Sequence, residues 1–253
     1  MKLIRFIYQD KEWYGELIDD FVALYKGDIA TGLAPAGVDV ALADIKLLSP
    51  VKPSKAVCVG LNYIDHIEET NAQRPDEPCI FIKPSTSVIG PGESIIRPAM
   101  SRRVDYEGEL AIVISRTAKN IPEEMAAAFI FGYTCANDVT ARDLQSKDGQ
   151  WTRGKGFDTF LPIGPCIETD INPAALPIRT CLNGKTVQDS NTKYLLFGVE
   201  KMVSFVSQVM TLLPGDVILT GTSSGIGPMV SGDTVAVEIE GIGRLENPVI
   251  DPA

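Results

Sequence analysis

Apolar and aromatic residues near the N-terminus fall into three short runs, KLIRFIY, EWYGELI and FVALYKG, separated by polar turns at Gln9–Lys11 and Asp19–Asp20. Runs of this length and composition between turn residues predict strands. A Gly/Pro/Ala-rich stretch, ATGLAPAGVDVALAD, follows and leads to LLSPVKPSK, so residues 1–50 read as a small N-terminal β subdomain closed by Pro50 and Pro53. Beyond it come a strand, KAVCVG, a polar helix-compatible stretch, NYIDHIEETNAQ, and a strand running into a loop, PCIFIKPSTSVIGPG. VDYEGELAIVI reads as one further strand, Pro122–Ala128 as a helix, FIFGYTCAND as a strand and residues 139–147 as a short helix. PIGPCIE and IRTCLNGKTV predict strands, Val199–Met210 a helix, and DVILTGT, DTVAVEIE and RLENPVI strands again. Many short strands with few helices indicate an α+β, β-dominated domain over residues 51–253, not an alternating doubly wound sheet.

Composition changes this picture little. With 253 residues, 45% of them hydrophobic and 22% charged, the chain can bury one large core plus an appendage. A net charge of −10 without any basic block argues against nucleic acid or an anionic membrane as partner. No apolar run approaches the roughly 20 residues that span a bilayer, and MKLIRFIYQDKEW becomes charged too early for a signal peptide. Five cysteines with no C-x-x-C pair point to reduced thiols, and with the missing signal to the cytoplasm.

The acids in VDYEGELAIVI demand an explanation. Side chains alternate along a strand, so Asp105, Glu107 and Glu109 share a face that continues as Ala111 and Val113. Adjacent like charges repel, and burial raises that cost. The bland reading is a frayed strand start with solvated acids. A carboxyl pair for glycoside hydrolysis is a second, weakened by the presence of only two Trp for a sugar groove. The third is a divalent cation site, since carboxylate oxygens suit Mg2+, Mn2+ or Ca2+ and Gly108 leaves room for a close approach.

Other stretches supply candidates. In CANDVTARDLQ, Asp138 ends an apolar strand, and a helix beginning there would place Arg142 and Gln145 on its face; alone, this is as readily a surface Asp–Arg pair. His66 in GLNYIDHIEE is the sole histidine, so any imidazole chemistry resides there, with Glu69 on the same helical face to orient the ring. Lys155 stands between two glycines, Gly154 and Gly156, in TRGKGFDTF, an arrangement compatible with a lysine held where the backbone leaves room for a ligand. LTGTSSGIGP is Gly-rich but lacks the patterns of a P-loop or a dinucleotide fold.

In this order, GLNYIDHIEE, FIKPST, VDYEGELAIVI, NDVTARDLQ, TRGKGFDTFLPIGP, Asn183–Gly184 and LTGTSSGIGP resemble the fumarylacetoacetate hydrolase family over about residues 55–250. The resemblance implies a mixed β-sandwich roll or barrel around a metal-bearing mouth, commonly as a homodimer. It implies Mg2+ or Mn2+ on Glu107, Glu109 and Asp138, a catalytic His66–Glu69 pair on a lid, and a catalytic Lys155. Arg142, Gln145 and Thr222 match substrate-contacting positions for a small anionic 2-oxo acid, and Lys83 either adds positive charge there or is a solvated loop lysine. The implied reaction is hydrolysis of a C–C bond in a 2,4-dioxo acid of acylpyruvate or fumarylpyruvate type, through a metal-bound enolate. The same platform serves oxaloacetate decarboxylation or isomerisation of 2-hydroxyhepta-2,4-diene-1,7-dioate. A non-catalytic protein keeping a metal for structure is the reading from a different class.

Overall fold

The three N-terminal runs pair as an antiparallel meander, β1 (Lys2–Tyr8), β2 (Lys11–Ile18) and β3 (Phe21–Asp28), with Gln9, Asp10 and Asp19 at positive φ in the turns. The computed structural model describes residues 1–252. The Gly/Pro/Ala-rich stretch, which carries no strand signal, forms the ten-residue β4 (Gly32–Ala41). It lies at the edge of its sheet, where Pro35 is tolerated.

Next come β5 (Lys46–Leu48), β6 (Lys55–Gly60), α1 (Ile64–Glu69), β7 (Cys79–Pro84), β8 (Val88–Ile89) and β9 (Ile95–Ile96). The acidic stretch gives β10 (Val104–Tyr106) and β11 (Gly108–Ile114), followed by β12 (Ile130–Asn137) and β13 (Thr140–Ala141). Two short helices, α2 (Arg142–Asp148) and α3 (Thr152–Lys155), precede β14 (Leu161–Glu168) and the hairpin β15 (Pro177–Leu182) and β16 (Lys185–Asn191). The chain ends with α4 (Val199–Val209), β17 (Val217–Thr222), β18 (Gly227–Met229), β19 (Thr234–Ile239) and β20 (Gly243–Ile250).

A twelve-stranded sheet runs β4-β3-β2-β1-β14-β12-β11-β17-β6-β7, with β5 on β1 and β8 on β14. Because β1 pairs with β14, the first fifty residues share this sheet with the rest of the chain. A five-stranded sheet, β16-β15-β19-β20-β9, and a small one, β13-β10-β18, complete the mixed, strand-dominated architecture. β11 explains its unbroken apolar run by being buried on both faces. Leu110, Ile112 and Ile114 pack with Val237, Ile239 and Leu245 of the second sheet and Met202, Val203 and Val206 of α4. Ala111 and Val113 pack on the other side with Ala56, Cys58, Val217 and Leu219. Among the described residues no helix is long and apolar enough to cross a membrane, and all five cysteines are free, Cys79 alone being exposed.

Local readings are corrected at four places. VDYEGELAIVI is not one strand: β10 pairs with β13 and β18, β11 with β12 and β17, and Glu107 falls at the break. IRTCLNGKTV folds back on itself at Asn183–Gly184, whose φ values of 52 and 78 are those of a two-residue hairpin turn. Pro122–Ala128 becomes a 3-10 helix over Glu123–Phe129. The room at Gly108 is taken by protein: a Cβ there would lie 2.1 Å from Thr180 Oγ1 on β15. Replacement of Gly108 by Ala is therefore expected to lower the unfolding free energy by about 1–3 kcal/mol in urea titrations, whereas a loss under about 0.3 kcal/mol would show that β15 moves aside freely.

Candidate metal and substrate site

Glu107, Glu109 and Asp138 converge where β10, β11 and β12 meet, and one oxygen from each lies within 4.8 Å of the others. Glu107 is 4% exposed and Glu109 2% exposed, so the solvated-acid reading fails. The strand break is held by side chains: Asn137 Oδ1 accepts from Glu107 N at 2.9 Å and Gln188 Oε1 from Gly108 N at 3.0 Å. Opposite, β17 carries a register shift beside Glu109, with Gly221 at φ +97 in the left-handed region. This bulge aims the Gly221 N–H at Glu109 Oε2, 2.6 Å away. Asp138 was read as the start of a helix, but α2 begins at Arg142 after β13, and Ala141 occupies its N-cap position. The carboxylate instead stands at the end of β12, its N–H donating to Glu107 O.

Three cations make this cluster tolerable. Lys155 Nζ donates to Glu107 Oε2 at 2.8 Å and to Asp138 Oδ2 at 2.6 Å. Lys83, fully buried, donates to Asp138 Oδ1 at 2.6 Å and to Val139 O. Arg142 donates from Nη2 to Glu107, from Nε to Asp105 and from Nη1 to Gln145 Oε1. Asp105 thus serves as a counter-ion of Arg142 and Arg103 and stands outside the donor cluster. Burial works against the Glu107 charge, but Lys155 and Arg142 outweigh it and hold that carboxyl well below its ordinary value. Burial also opposes charge on Lys155, which Asp138 and Glu107 nonetheless hold above the usual lysine range. Glu109 differs. Burial, with Asp138 and Glu107 alongside, pushes its carboxyl well above the usual range, and among the described residues it has no cationic partner.

A buried carboxylate trio lacking full charge compensation, all hard oxygen donors, fits a divalent cation such as Mg2+ or Mn2+. The carboxylate–lysine contacts show the same demand for positive charge, met in part by ammonium groups.

Of the remaining predicted residues, His66, Arg142, Gln145, Lys155 and Thr222 line the same cavity of about 310 Å3 with the three acids, while Glu69 stands behind His66 outside that lining. Volume alone would mislead: a cavity of about 470 Å3 beside Arg5 and Trp13 holds no such cluster. His66 is buried in α1, and Glu69 Oε2 sits 3.1 Å from its Nδ1. With Nδ1 donating to that carboxylate, Nε2 is the acceptor. Glu69 uses its other oxygen to accept from Gly225 N at 2.9 Å, while Asp65 Oδ2 accepts from Ser224 Oγ at 3.0 Å, so α1 is pinned across the loop after β17. Thr222 lines the wall with its hydroxyl already shared, donating to Gly108 O and accepting from Gln188 Nε2. Of the lid residues, Thr70 reaches the cavity, while Ile67 is buried in the core and Ile64 is exposed. Sequence reasoning left the role of Lys83 open between ligand and solvent, and it missed Phe81, Trp151 and the Ser224–Gly225 anchor. The period-two spacing of Phe81 with Lys83 on β7 was the available signal. The glycines around Lys155 leave room for protein: a Cβ on Gly154 would strike Gln145 backbone at 2.9 Å.

Comparison with known proteins agrees with this geometry. Residues 55–250 match the family model described as fumarylacetoacetate (FAA) hydrolase C-terminal, and residues 1–50 one described as Rv2993c-like, N-terminal. An oxaloacetate tautomerase of Xenopus laevis is 43% identical over 245 residues, covering 90% of this chain and 77% of that protein. The crystal structure of a 2-hydroxyhepta-2,4-diene-1,7-dioate isomerase from Mycobacterium marinum, 43% identical, superposes with a TM-score of 0.92 over 100% of this chain and 99% of that one. A maleylpyruvate hydrolase from Sphingobium sp. SYK-6, solved with manganese(II) and pyruvate, is 30% identical, with a TM-score of 0.84 and full coverage of both chains.

Mn2+ or Mg2+ at about a hundred times its dissociation constant is expected to stabilise the fold by about 2.7 kcal/mol and raise Tm by about 5–10 °C. Glu109→Gln should abolish that rise without lowering the Tm of the metal-free protein, because Gln mimics the uncharged carboxyl that burial favours. Scanning calorimetry with and without EDTA decides it, and an ion-independent Tm in the wild type rules out the site.

Proposed function

Because the chain belongs to the fumarylacetoacetate hydrolase family, we propose that it is a divalent-metal-dependent enzyme that hydrolyses the C3–C4 bond of 2,4-dioxo acids of acylpyruvate type. The carrying observation is that His66, oriented by Glu69, lines the same cavity as the three clustered carboxylates.

Held by Glu107, Glu109 and Asp138, Mg2+ or Mn2+ supplies Lewis-acid polarisation of the substrate's 1-carboxylate and 2-oxo oxygens. The protein's own groups do the rest. Glu69 keeps the proton of His66 on Nδ1, so Nε2 takes a proton from water. The resulting hydroxide adds to the C4 carbonyl. Breaking of C3–C4 sends its electron pair into the pyruvate fragment, and the charge develops on the 2-oxo oxygen. Lys155 spends two of its three N–H donors on Glu107 and Asp138, which leaves the third for that oxygen. Arg142 and the free amide N–H donors of Gln145 orient the carboxylate end, with Thr222 as wall. Protonation of C3 by the imidazolium releases pyruvate beside the carboxylic acid. Docking of α1 on Ser224 and Gly225 keeps bulk water away.

The second reading is keto–enol tautomerisation of oxaloacetate, with decarboxylation as its relative, supported by the likeness to the Xenopus laevis enzyme. It uses the same carboxylates and Lys155 but needs no attacking water. A homodimer, a small N-terminal β subdomain at residues 1–50 and a reducing, cytoplasmic setting are parts of the same proposal, the last supported by five free cysteines.

His66→Ala is expected to lower kcat for acetylpyruvate hydrolysis by about 10²–10⁴-fold while oxaloacetate still turns over. Wild-type hydrolysis rates in that variant would overturn water activation by His66. A wild type that turns over oxaloacetate but not acetylpyruvate would establish the second reading instead.

A further inference from the structure

One side of the catalytic cavity has a character that the carboxylate end does not explain. Its charged groups gather around the acids, and the two permanent cations in the lining are already ion-paired: Arg142 with Asp105 and Glu107, Lys155 with Glu107 and Asp138. Much of the rest of the lining is apolar, Val59, Leu61, Ala72, Phe81 and Trp151, with Thr70 and Ser146 as uncharged polar members. The direction of this change is set by two contacts. The Phe81 ring centre lies 5.0 Å from Lys155 Nζ, and Phe81 meets Trp151 edge-on with ring centres 5.2 Å apart. The aromatic pair therefore begins beside the ammonium with Phe81 and continues through that ring to Trp151.

Trp151 is placed with care. Its carbonyl accepts the Lys155 N–H one turn later in α3, which puts indole and ammonium on the same side of that turn. Its ring also lies against Gly60 at the end of β6: a Cβ there would sit 2.6 Å from Trp151 Cζ3, so only a side-chain-free residue admits the indole. Behind the aromatic pair is a second, more apolar cavity of about 870 Å3 between β7 and the end of α4, and its lining shares with the first only Phe81 and Trp151. The two rings form the partition.

We propose that Phe81 and Trp151 form a neutral wall that selects the substrate, so that this enzyme takes 2-oxo acids with a short, uncharged chain beyond the chelating end and rejects longer dioic ones. A terminal carboxylate pressed against this wall would lose its water and meet no free cation. Acetylpyruvate suits the wall, and oxaloacetate is short enough to keep both carboxylates at the chelating end. A seven-carbon dioate is not. The inference rests on chelation of the 1-carboxylate and 2-oxo group at the three acids, and its test is kept apart from turnover.

The test is calorimetric binding to Mn2+-loaded protein of oxalate, 2-oxohexanoate and 2-oxohexanedioate, the last two equal in chain length and differing by one terminal carboxylate. The expected result is metal-dependent oxalate binding, with 2-oxohexanoate bound at least about tenfold more tightly than the dioate. Equal or tighter binding of the dioate, with oxalate still bound, would overturn the neutral wall alone. Failure of oxalate to bind would overturn chelation, and the proposal with it. Trp151→Ala joins the two cavities and is expected to improve the affinity for 2-oxooctanoate relative to pyruvate by about tenfold, with Trp151→Phe intermediate. An unchanged ratio in Trp151→Phe, whose small cut keeps the wall aromatic and the fold intact, together with an unchanged ratio in Trp151→Ala, would show that the indole sets no limit on length.

Discussion

Everything at this site follows from placing three carboxylates within 4.8 Å of one another inside a protein interior. Uncompensated, that arrangement is among the costliest a fold can contain. The chain meets the cost with cations brought from three separate elements: Lys83 from β7, Lys155 from α3 and Arg142 from the first turn of α2. Compensation is uneven, and the unevenness carries information. Glu107 and Asp138 each hold two cationic contacts, whereas Glu109 has one backbone N–H. A purely structural network would be expected to finish the job at Glu109. Its shortfall leaves three hard oxygen donors in a cluster that could hold a divalent ion.

Much of this was legible in the chain, for a definable reason. Alternation along a strand is a strict rule, so E-x-E placed Glu107 and Glu109 together whatever their environment. What alternation could not decide was burial, because water and a metal both accommodate paired acids. The two outcomes differ only in what covers the strand, and the cover here comes from β15, β17 and α1, all distant in sequence. Lys83 shows the same limit from the opposite side. A lysine before a proline looks like a loop residue, yet it ends a strand whose alternate position turns it fully inward onto Asp138. Helical spacing suggested that Asp138, Arg142 and Gln145 share a face. They do meet around one cavity, but β13 intervenes, so tertiary position rather than helix geometry unites them.

Glycines gave the most misleading signals. Gly108 and Gly154 look like openings for a ligand, and both prove to be places where another part of the protein comes close, Thr180 in one case and Gln145 in the other. Close approach is what glycine permits, and sequence alone does not say by what. Gly221 is the informative exception. Its left-handed φ lets β17 bulge and turn an N–H toward Glu109, so its freedom acts on the site directly.

The placement of these groups also explains how one backbone can serve several reactions. The acids stand at the β10–β11 break, on β11 and directly after β12, and β11 is packed into the core on both faces, where small displacements are resisted. Other residues of the cavity lining come from element ends and connections: Leu61 after β6, Ala72 after α1, Trp151 between α2 and α3. Such positions change without disturbing the core. His66 lies between these regimes. Its ring is oriented by the same Glu69 carboxylate that docks α1 onto Gly225, so the orientation of the base and the closing of the cavity depend on one side chain. In the proposed hydrolysis, activation of a water and shielding of the cavity from solvent then depend on the same contact. A fold so divided keeps its charged end constant while the outcome, whether water attack, proton shift or loss of carbon dioxide, is settled by what the connections allow beside it.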